Sequence, residues 1–122
     1  MRIAAVRVFV VNLADARRFY TETLGLRIVW EYKNGAIGFD AGPATLIVEK
    51  AEQSADPKHR ESVGKFTGIS LQVDDIDLVY SELAAKGVRF LAPPEKMDWG
   101  GTLAHFKDSS GNVLTLLSLP KS

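Results

Sequence analysis

The feature that most constrains the fold is an internal repeat of one order of strands and helix. The two halves correspond at a constant offset around the end of each predicted helix, at Asp15 with Asp77, Gly25 with Gly87, Leu26 with Val88 and Arg27 with Arg89. Each half predicts a strand, an amphipathic helix that stops at a glycine, and further strands. We therefore predict two tandem βαβββ modules, at about residues 3–50 and 65–119, within a single domain spanning residues 1–122.

The first module is defined by alternation and by turn signals. Apolar Val6, Val8 and Val10 alternate with a mixed set, which predicts a strand with one buried face. Asn12 is typical of a helix N-cap, and the helical spacing continues to a glycine at 25. Asn34-Gly35 predicts a hairpin between strands at 26–32 and 36–40, and a fourth strand follows at 44–50.

The second module follows a stretch of different character. Residues 51–64 are mostly polar or charged and contain almost nothing to bury, so they predict an exposed linker. A strand is predicted at 66–73, and Asp74-Asp75 then begins a helix that stops before Gly87. A short strand at 89–91 leads to a Pro93-Pro94 break and a final hairpin, whose turn carries the Asp, Ser, Gly and Asn residues of 108–112.

Composition excludes several classes of function. Lys plus Arg and Asp plus Glu number 15 each, so no charge excess favours nucleic acid or an anionic membrane as a partner. With no cysteine, the chain has no disulfide, thiolate nucleophile, cysteine-type zinc site or iron–sulfur cluster. There is no signal-peptide pattern and no apolar run of about 18 residues. We expect a cytoplasmic protein.

Three motifs along the chain closely resemble the vicinal oxygen chelate superfamily of glyoxalases, extradiol dioxygenases, fosfomycin-resistance enzymes and bleomycin-binding proteins. They are Phe19-Tyr20-Thr21-Glu22-Thr23-Leu24-Gly25-Leu26, Ile69-Ser70-Leu71-Gln72-Val73-Asp74-Asp75 and Asp108-Ser109-Ser110-Gly111-Asn112. The resemblance covers nearly the whole chain. It implies an α+β fold in which the two βαβββ modules form a curled, cup-shaped mixed β-sheet with helices on the outer face. It also implies a homodimer, with a small-molecule site inside the cup.

The resemblance also implies where a metal would be held, since the family's metalloenzymes place His, Glu, His and Glu on four strands. Those positions correspond to Ala5, Gly68 and Thr115, and to Ile47, or to Glu49 if that strand slips by two residues. Alanine and glycine have no donor, and a neutral threonine hydroxyl is a poor ligand for a divalent ion. We therefore expect no metal and no cofactor.

Alternation predicts which side chains line the cup, and several of them suit an organic ligand. The candidate ligand-binding residues are Arg7, Phe9, Trp30, Ile47, Glu49, Gly68, Ser70, Gln72, Trp99, His105 and Thr115. Tyr32 and Phe39 are further aromatic residues placed to stack on a ligand, although aromatic residues on strands, Trp30 included, are more often plain core. Glu49, at a strand end, is also typical of an ordinary surface carboxylate.

The two histidines are interpreted differently. His105 is the candidate acid or base, although a lone strand histidine is also typical of a half-buried structural residue. His59 stands between Lys58 and Arg60, which indicates a solvated loop residue.

These residues favour a non-catalytic protein that binds or sequesters a small organic, possibly antibiotic, molecule, with Trp30 and Trp99 as stacking platforms. The resemblance is closest to the metal-free bleomycin-resistance branch, but bleomycin is cationic and this chain has no net charge. The alternative is a lyase, isomerase or dioxygenase of the same family. Such an enzyme would use either a displaced metal at Glu49 and His105, or His105 without metal beside Arg7. A third reading is an interaction module whose cup is vestigial.

Overall fold

A computed structural model describes residues 1–33, 35–53 and 56–120. The chain divides into two compact units. The first contains Met1–Lys65 and Ser109–Asn112, and the second contains Phe66–Asp108 and Val113–Ser122. None of the helices in the described residues is long and apolar enough to cross a membrane.

The first unit has the predicted βαβββ order. Its elements are β1 (Ala5–Val10), α1 (Leu13–Arg18), β2 (Ile28–Tyr32), β3 (Ala36–Asp40) and β4 (Thr45–Lys50). The side chain of Asn12 caps α1 by accepting a hydrogen bond from the backbone N–H of Asp15 at 2.9 Å. The helix continues as a π-helical turn, Phe19–Thr23. The strands form a mixed sheet in the order β1-β4-β3-β2, in which only β1 and β4 run parallel.

The segment after β4, predicted as an exposed linker, contains secondary structure of its own. It contains a 3-10 turn, Ala51–Gln53, and a short helix, α2 (Pro57–Glu61). Asp56 caps α2 through its side chain, and proline occupies the first helical position, where its missing N–H costs nothing. Of the hairpin predicted at Asn34-Gly35, Asn34 lies outside the described residues, and Gly35 has a φ of 107°.

The second unit repeats the order with one addition. Its elements are β5 (Phe66–Gln72), α3 (Ile76–Ala85), β6 (Arg89–Phe90), β7 (Glu95–Lys96), β8 (Thr102–Lys107) and β9 (Val113–Ser118). The sheet order is β5-β9-β8-β6, and β7 pairs with β8. The two-residue strand β7 was not predicted, because two residues are too few to show a period. The α+β class with repeated βαβββ units is confirmed.

One face of each sheet is buried under helix. In the first unit Val8, Val10, Phe39, Leu46 and Val48 are at most 2% exposed, and Tyr20 contacts the Phe39 ring at 5.5 Å between centroids. In the second unit the matching face carries Ala104, Phe106, Leu114 and Leu116. The alternation of buried and exposed residues along these strands leaves the opposite face of each sheet as a second surface. We call these the first and the second open face.

Candidate functional site

Arg7 and Glu49 form an ion pair on the first open face. The Arg7 Nε lies 2.7 Å from Glu49 Oε1, and its Nη2 lies 3.2 Å from Oε2. The hydrogen bond to Glu49 raises the pKa of Arg7 above its ordinary value. Because both carboxylate oxygens accept from one guanidinium, Glu49 is not the ordinary surface carboxylate that its strand-end position suggests.

His59 is not a solvated loop residue, contrary to the sequence interpretation. It lies on α2 and is half-buried, and its ring stacks on Phe9 with centroids 4.2 Å apart and an interplanar angle of 13°. The Arg7 guanidinium lies 5.2 Å from the centroid of the same Phe9 ring. Phe9 is therefore a half-buried member of a stack within the first unit.

Trp30 lies against the first open face. A Cβ added to Gly38, its cross-strand partner, would come within 2.4 Å of indole atom Cε2, so the ring packs directly on the glycine backbone. Tyr32 stands beside it with ring centroids 5.1 Å apart, and Tyr32 is 68% exposed. Phe39, by contrast, is fully buried under the helix. Of the two roles considered for Phe39, the structure shows the core residue and not the ligand-stacking one.

His105 and Thr115 are hydrogen-bonded on the second open face. They are cross-strand partners in β8 and β9, and His105 Nδ1 lies 2.7 Å from Thr115 Oγ1. Thr115 is 2% exposed, and its strand neighbour in β5 is Ser70. Gln72 follows on the same face of β5 and is exposed. The Thr115 hydroxyl thereby fixes one nitrogen of the imidazole, so the other ring nitrogen points away from it.

Phe66 is a residue of this face that the sequence reasoning missed. Its ring is 64% exposed and meets His105 edge-on, with centroids 5.7 Å apart and planes at 79°. The signal was available, because Phe66 precedes Gly68 by two positions on the same strand and so shares its face.

Gly68 marks an irregularity in β5. Its φ is +76°, a region that favours glycine, and the pairing of β5 with β9 shifts register between Phe66 and Ser70. The Thr67 hydroxyl accepts from the backbone N–H of Ile69 and donates to the Val113 carbonyl. The backbone here therefore needs a glycine, independently of any lost metal ligand.

Trp99 lies in a turn before β8, as expected, and is 53% exposed. The turn is closed by the backbone N–H of Gly100, which donates to the Met97 carbonyl at 2.9 Å. The Trp99 ring packs on Gly101, where an added Cβ would meet it at 2.0 Å. Near it His105, Met97 and Pro93 line a small cavity of about 100 Å³.

The four positions at which the family resemblance places metal ligands fall on both open faces. Ala5 and Ile47 lie on the first, and Gly68 and Thr115 on the second. Within residues 1–33, 35–53 and 56–120, no three His, Cys, Asp or Glu side chains come together as a metal-binding group.

Comparison with known proteins identifies the family. A family model described as Glyoxalase/Bleomycin resistance protein/Dioxygenase superfamily matches residues 2–116. The protein YetH of Bacillus subtilis (strain 168) is 30% identical over 122 residues, covering 94% of this chain and 96% of YetH. The chain belongs to this superfamily, which confirms the resemblance seen in its motifs.

Solved structures agree with this assignment. The crystal structure of a superfamily member from Sphaerobacter thermophilus has a TM-score of 0.86 and 27% identity, and covers 98% of both chains. The structure of TnmS3, an antibiotic binding protein from a Streptomyces species, has a TM-score of 0.80 at 24% identity, covering 99% of this chain and 97% of TnmS3. At 24% identity, the similarity to TnmS3 shows a shared fold.

Proposed function

We propose that this protein is a non-catalytic binding protein that sequesters a planar aromatic small molecule, acting as a homodimer without metal or cofactor. On the first unit the stacking platform for the ligand is Trp30, and on the second unit it is Trp99. Ser70 and Gln72, both exposed on the second open face, supply neutral hydrogen-bonding groups that orient the ligand.

The observation that carries the proposal is that two groups suited to charge or proton chemistry on these faces are already engaged. Arg7 and Glu49 neutralise each other at 2.7 Å, and His105 is hydrogen-bonded to Thr115. Beside these pairs stand exposed aromatic rings, among them Tyr32 and Phe66, which are 68% and 64% exposed. Exposed rings favour binding by shape and stacking over proton transfer.

Two further points support a binding role for this fold and narrow the ligand. TnmS3, which shares the fold, is an antibiotic binding protein. The chain carries no net charge, and the Glu49 carboxylate on the first open face is already paired with Arg7, so a strongly cationic ligand such as bleomycin is not favoured.

The family's metal does not fit the residues at its expected positions. Ala5, Ile47 and Gly68 offer no side-chain donor atom, and Glu49, the alternative to Ile47, has both carboxylate oxygens bound by Arg7. The Thr115 hydroxyl is hydrogen-bonded to His105. We expect less than one tenth of a molar equivalent of tightly bound metal after exposure to nickel, zinc, iron or manganese and desalting, measured by elemental analysis. Stoichiometric, tight uptake of any of these ions contradicts this part of the proposal.

Tryptophan fluorescence tests the binding proposal directly, because the chain has two tryptophans, one in each unit. The variants Trp99→Phe and Trp30→Phe each retain a single reporter, on the first and the second unit respectively. Titration with a panel of aromatic and glycopeptide antibiotics is expected to quench at least one reporter by about half or more at saturation. Stacking brings the ligand into contact with the indole.

The control for this titration is Val29→Trp in a protein lacking both native tryptophans. Val29 neighbours Trp30 in β2 but points to the other face and is 41% exposed. Its indole is expected to show only the small, unsaturable quenching of free tryptophan. Absence of saturable quenching of either native tryptophan across the panel contradicts the proposal.

A second candidate function rests on the His105–Thr115 hydrogen bond. A hydroxyl that fixes Nδ1 leaves Nε2 as the position for taking or giving a proton, as a metal-free isomerase or lyase requires. Once a ligand has been identified by quenching, its chemical fate distinguishes the two candidate functions. A bound molecule recovered chemically unchanged after long incubation supports sequestration, and a product lost in His105→Gln supports catalysis.

A further inference from the structure

The first unit contains a cleft on the helix side of its sheet, away from the first open face. It lies between the start of α1 and the end of β2 and has a volume of about 460 Å³. That volume falls in the range of roughly 300–1,000 Å³ seen for small-molecule sites. Its lining comes from one unit alone.

The floor and one wall of the cleft are apolar. Leu13 of α1 is half-buried and Ile37 of β3 is 2% exposed, and both line the cavity. Tyr32 lines the cleft at its edge, and its largely exposed ring lies 5.1 Å from that of Trp30, between centroids. A flat hydrocarbon or aromatic body of one or two rings fits such a lining.

The rim of the cleft is charged, with an excess of positive groups. The Arg17 Nε donates to Glu31 Oε1 at 2.7 Å, and this hydrogen bond lowers the pKa of Glu31 below its ordinary value. Lys33 also lines the cleft, and it forms no ion pair among the described residues. Two cations and one anion leave a net positive rim.

We propose that this cleft binds a small aromatic carboxylate. The ring packs on Leu13 and Ile37 and reaches Tyr32 at the edge of the cleft, and the carboxylate lies by the Lys33 ammonium, beside Arg17. The site shares Tyr32 with the surface proposed above, but Leu13, Ile37 and Lys33 play no part in that function, so the proposal does not depend on it.

The test uses 2-naphthoate as probe and methyl NMR spectra of the full-length protein. Binding is expected to shift the methyl signals of Leu13, Ala14 and Ile37, which line the cleft, and to leave Ile47, on the first open face, unchanged. The neutral isostere 2-naphthamide is expected to bind at least threefold more weakly, because it lacks the charge that Lys33 pairs with. Affinity for naphthoate also falls as salt is raised.

Two variants and one control complete the experiment. Lys33→Ala is expected to weaken naphthoate binding about fivefold, near the upper size of an exposed ion pair, while leaving naphthamide unaffected. Tyr32→Ala weakens both probes. Lys65→Ala, an exposed lysine of the same unit outside the cleft, changes neither.

Three outcomes overturn the proposal: no saturable binding of naphthoate, shifts centred on Ile47 rather than Ile37, or equal affinities for the acid and the amide. Because Tyr32, Lys33 and Lys65 are all exposed, none of these variants is expected to unfold the protein.

Discussion

Replacing Asn112 with alanine is expected to lower the free energy of unfolding by about 3 kcal/mol. The Asn112 side chain is 1% exposed and belongs to the first unit. Its Nδ2 donates to the Phe9 carbonyl at 2.9 Å, and its Oδ1 accepts from the backbone N–H of Gly64 at 2.8 Å. Alanine removes both bonds and leaves two backbone groups without this partner in a site that excludes water.

Equilibrium denaturation with urea measures this loss, and Ser110→Ala is the matched control. Ser110 lies in the same turn and makes a comparable contact, accepting from the Val11 N–H at 2.9 Å, but Val11 is 57% exposed, so water replaces the lost partner. Ser110→Ala is expected to lower the free energy of unfolding by less than about 1 kcal/mol. Equal losses in the two variants would show that burial of Asn112 does not set its contribution.

Replacing Gly38 with alanine is expected to lower the free energy of unfolding by about 1–3 kcal/mol and to displace the Trp30 ring. The added Cβ would lie 2.4 Å from Cε2 of the indole and 2.7 Å from Cζ2 and Nε1. Gly38 is not among the glycines with positive φ, so the backbone accepts alanine and the conflict lies with the ring alone. A reduced near-ultraviolet circular dichroism signal, together with weaker ligand quenching of Trp30, is the expected signature.

A double-mutant cycle with Trp30→Ala isolates this contact. Without the indole, Gly38→Ala is expected to be neutral or slightly stabilising, because glycine weakens a strand interior. The coupling energy between the two positions should then be at least about 1 kcal/mol. If Gly38→Ala lowers the free energy of unfolding equally with and without the Trp30 indole, the contact with Trp30 is not the cause of the loss.

Most element boundaries follow from local signals, and the exceptions have long-range causes. The strand predicted at 26–32 begins only at Ile28, because the Leu26 N–H donates to the Tyr20 carbonyl at the end of the helix. The strand β7 exists through its pairing with β8, which no pattern within two residues can indicate. The predicted linker contains α2, whose half-buried residue, His59, stacks on Phe9 far away in the sequence.

For the candidate site, the sequence predicted the face on which most residues lie but not the contacts between them. Alternation correctly assigned Arg7, Ile47, Ser70 and Thr115 to the faces opposite the helices. It did not reveal that Glu49 forms an ion pair with Arg7, and it left open whether Phe39 is a core or a ligand-stacking residue. Phe66 was missed although the same alternation places it, and its contact with His105 required the pairing of strands to be known.

The sequence by itself determined the order of the elements, the capping residues and the face on which each strand residue lies, because these depend on neighbours a few positions away. Only the tertiary structure decided which side chains meet. Three contacts each join different strands: the Arg7–Glu49 ion pair, the His105–Thr115 hydrogen bond and the packing of the Trp30 ring on Gly38. Such contacts depend on strand register and on ångström-scale packing, which alternation along one strand does not specify.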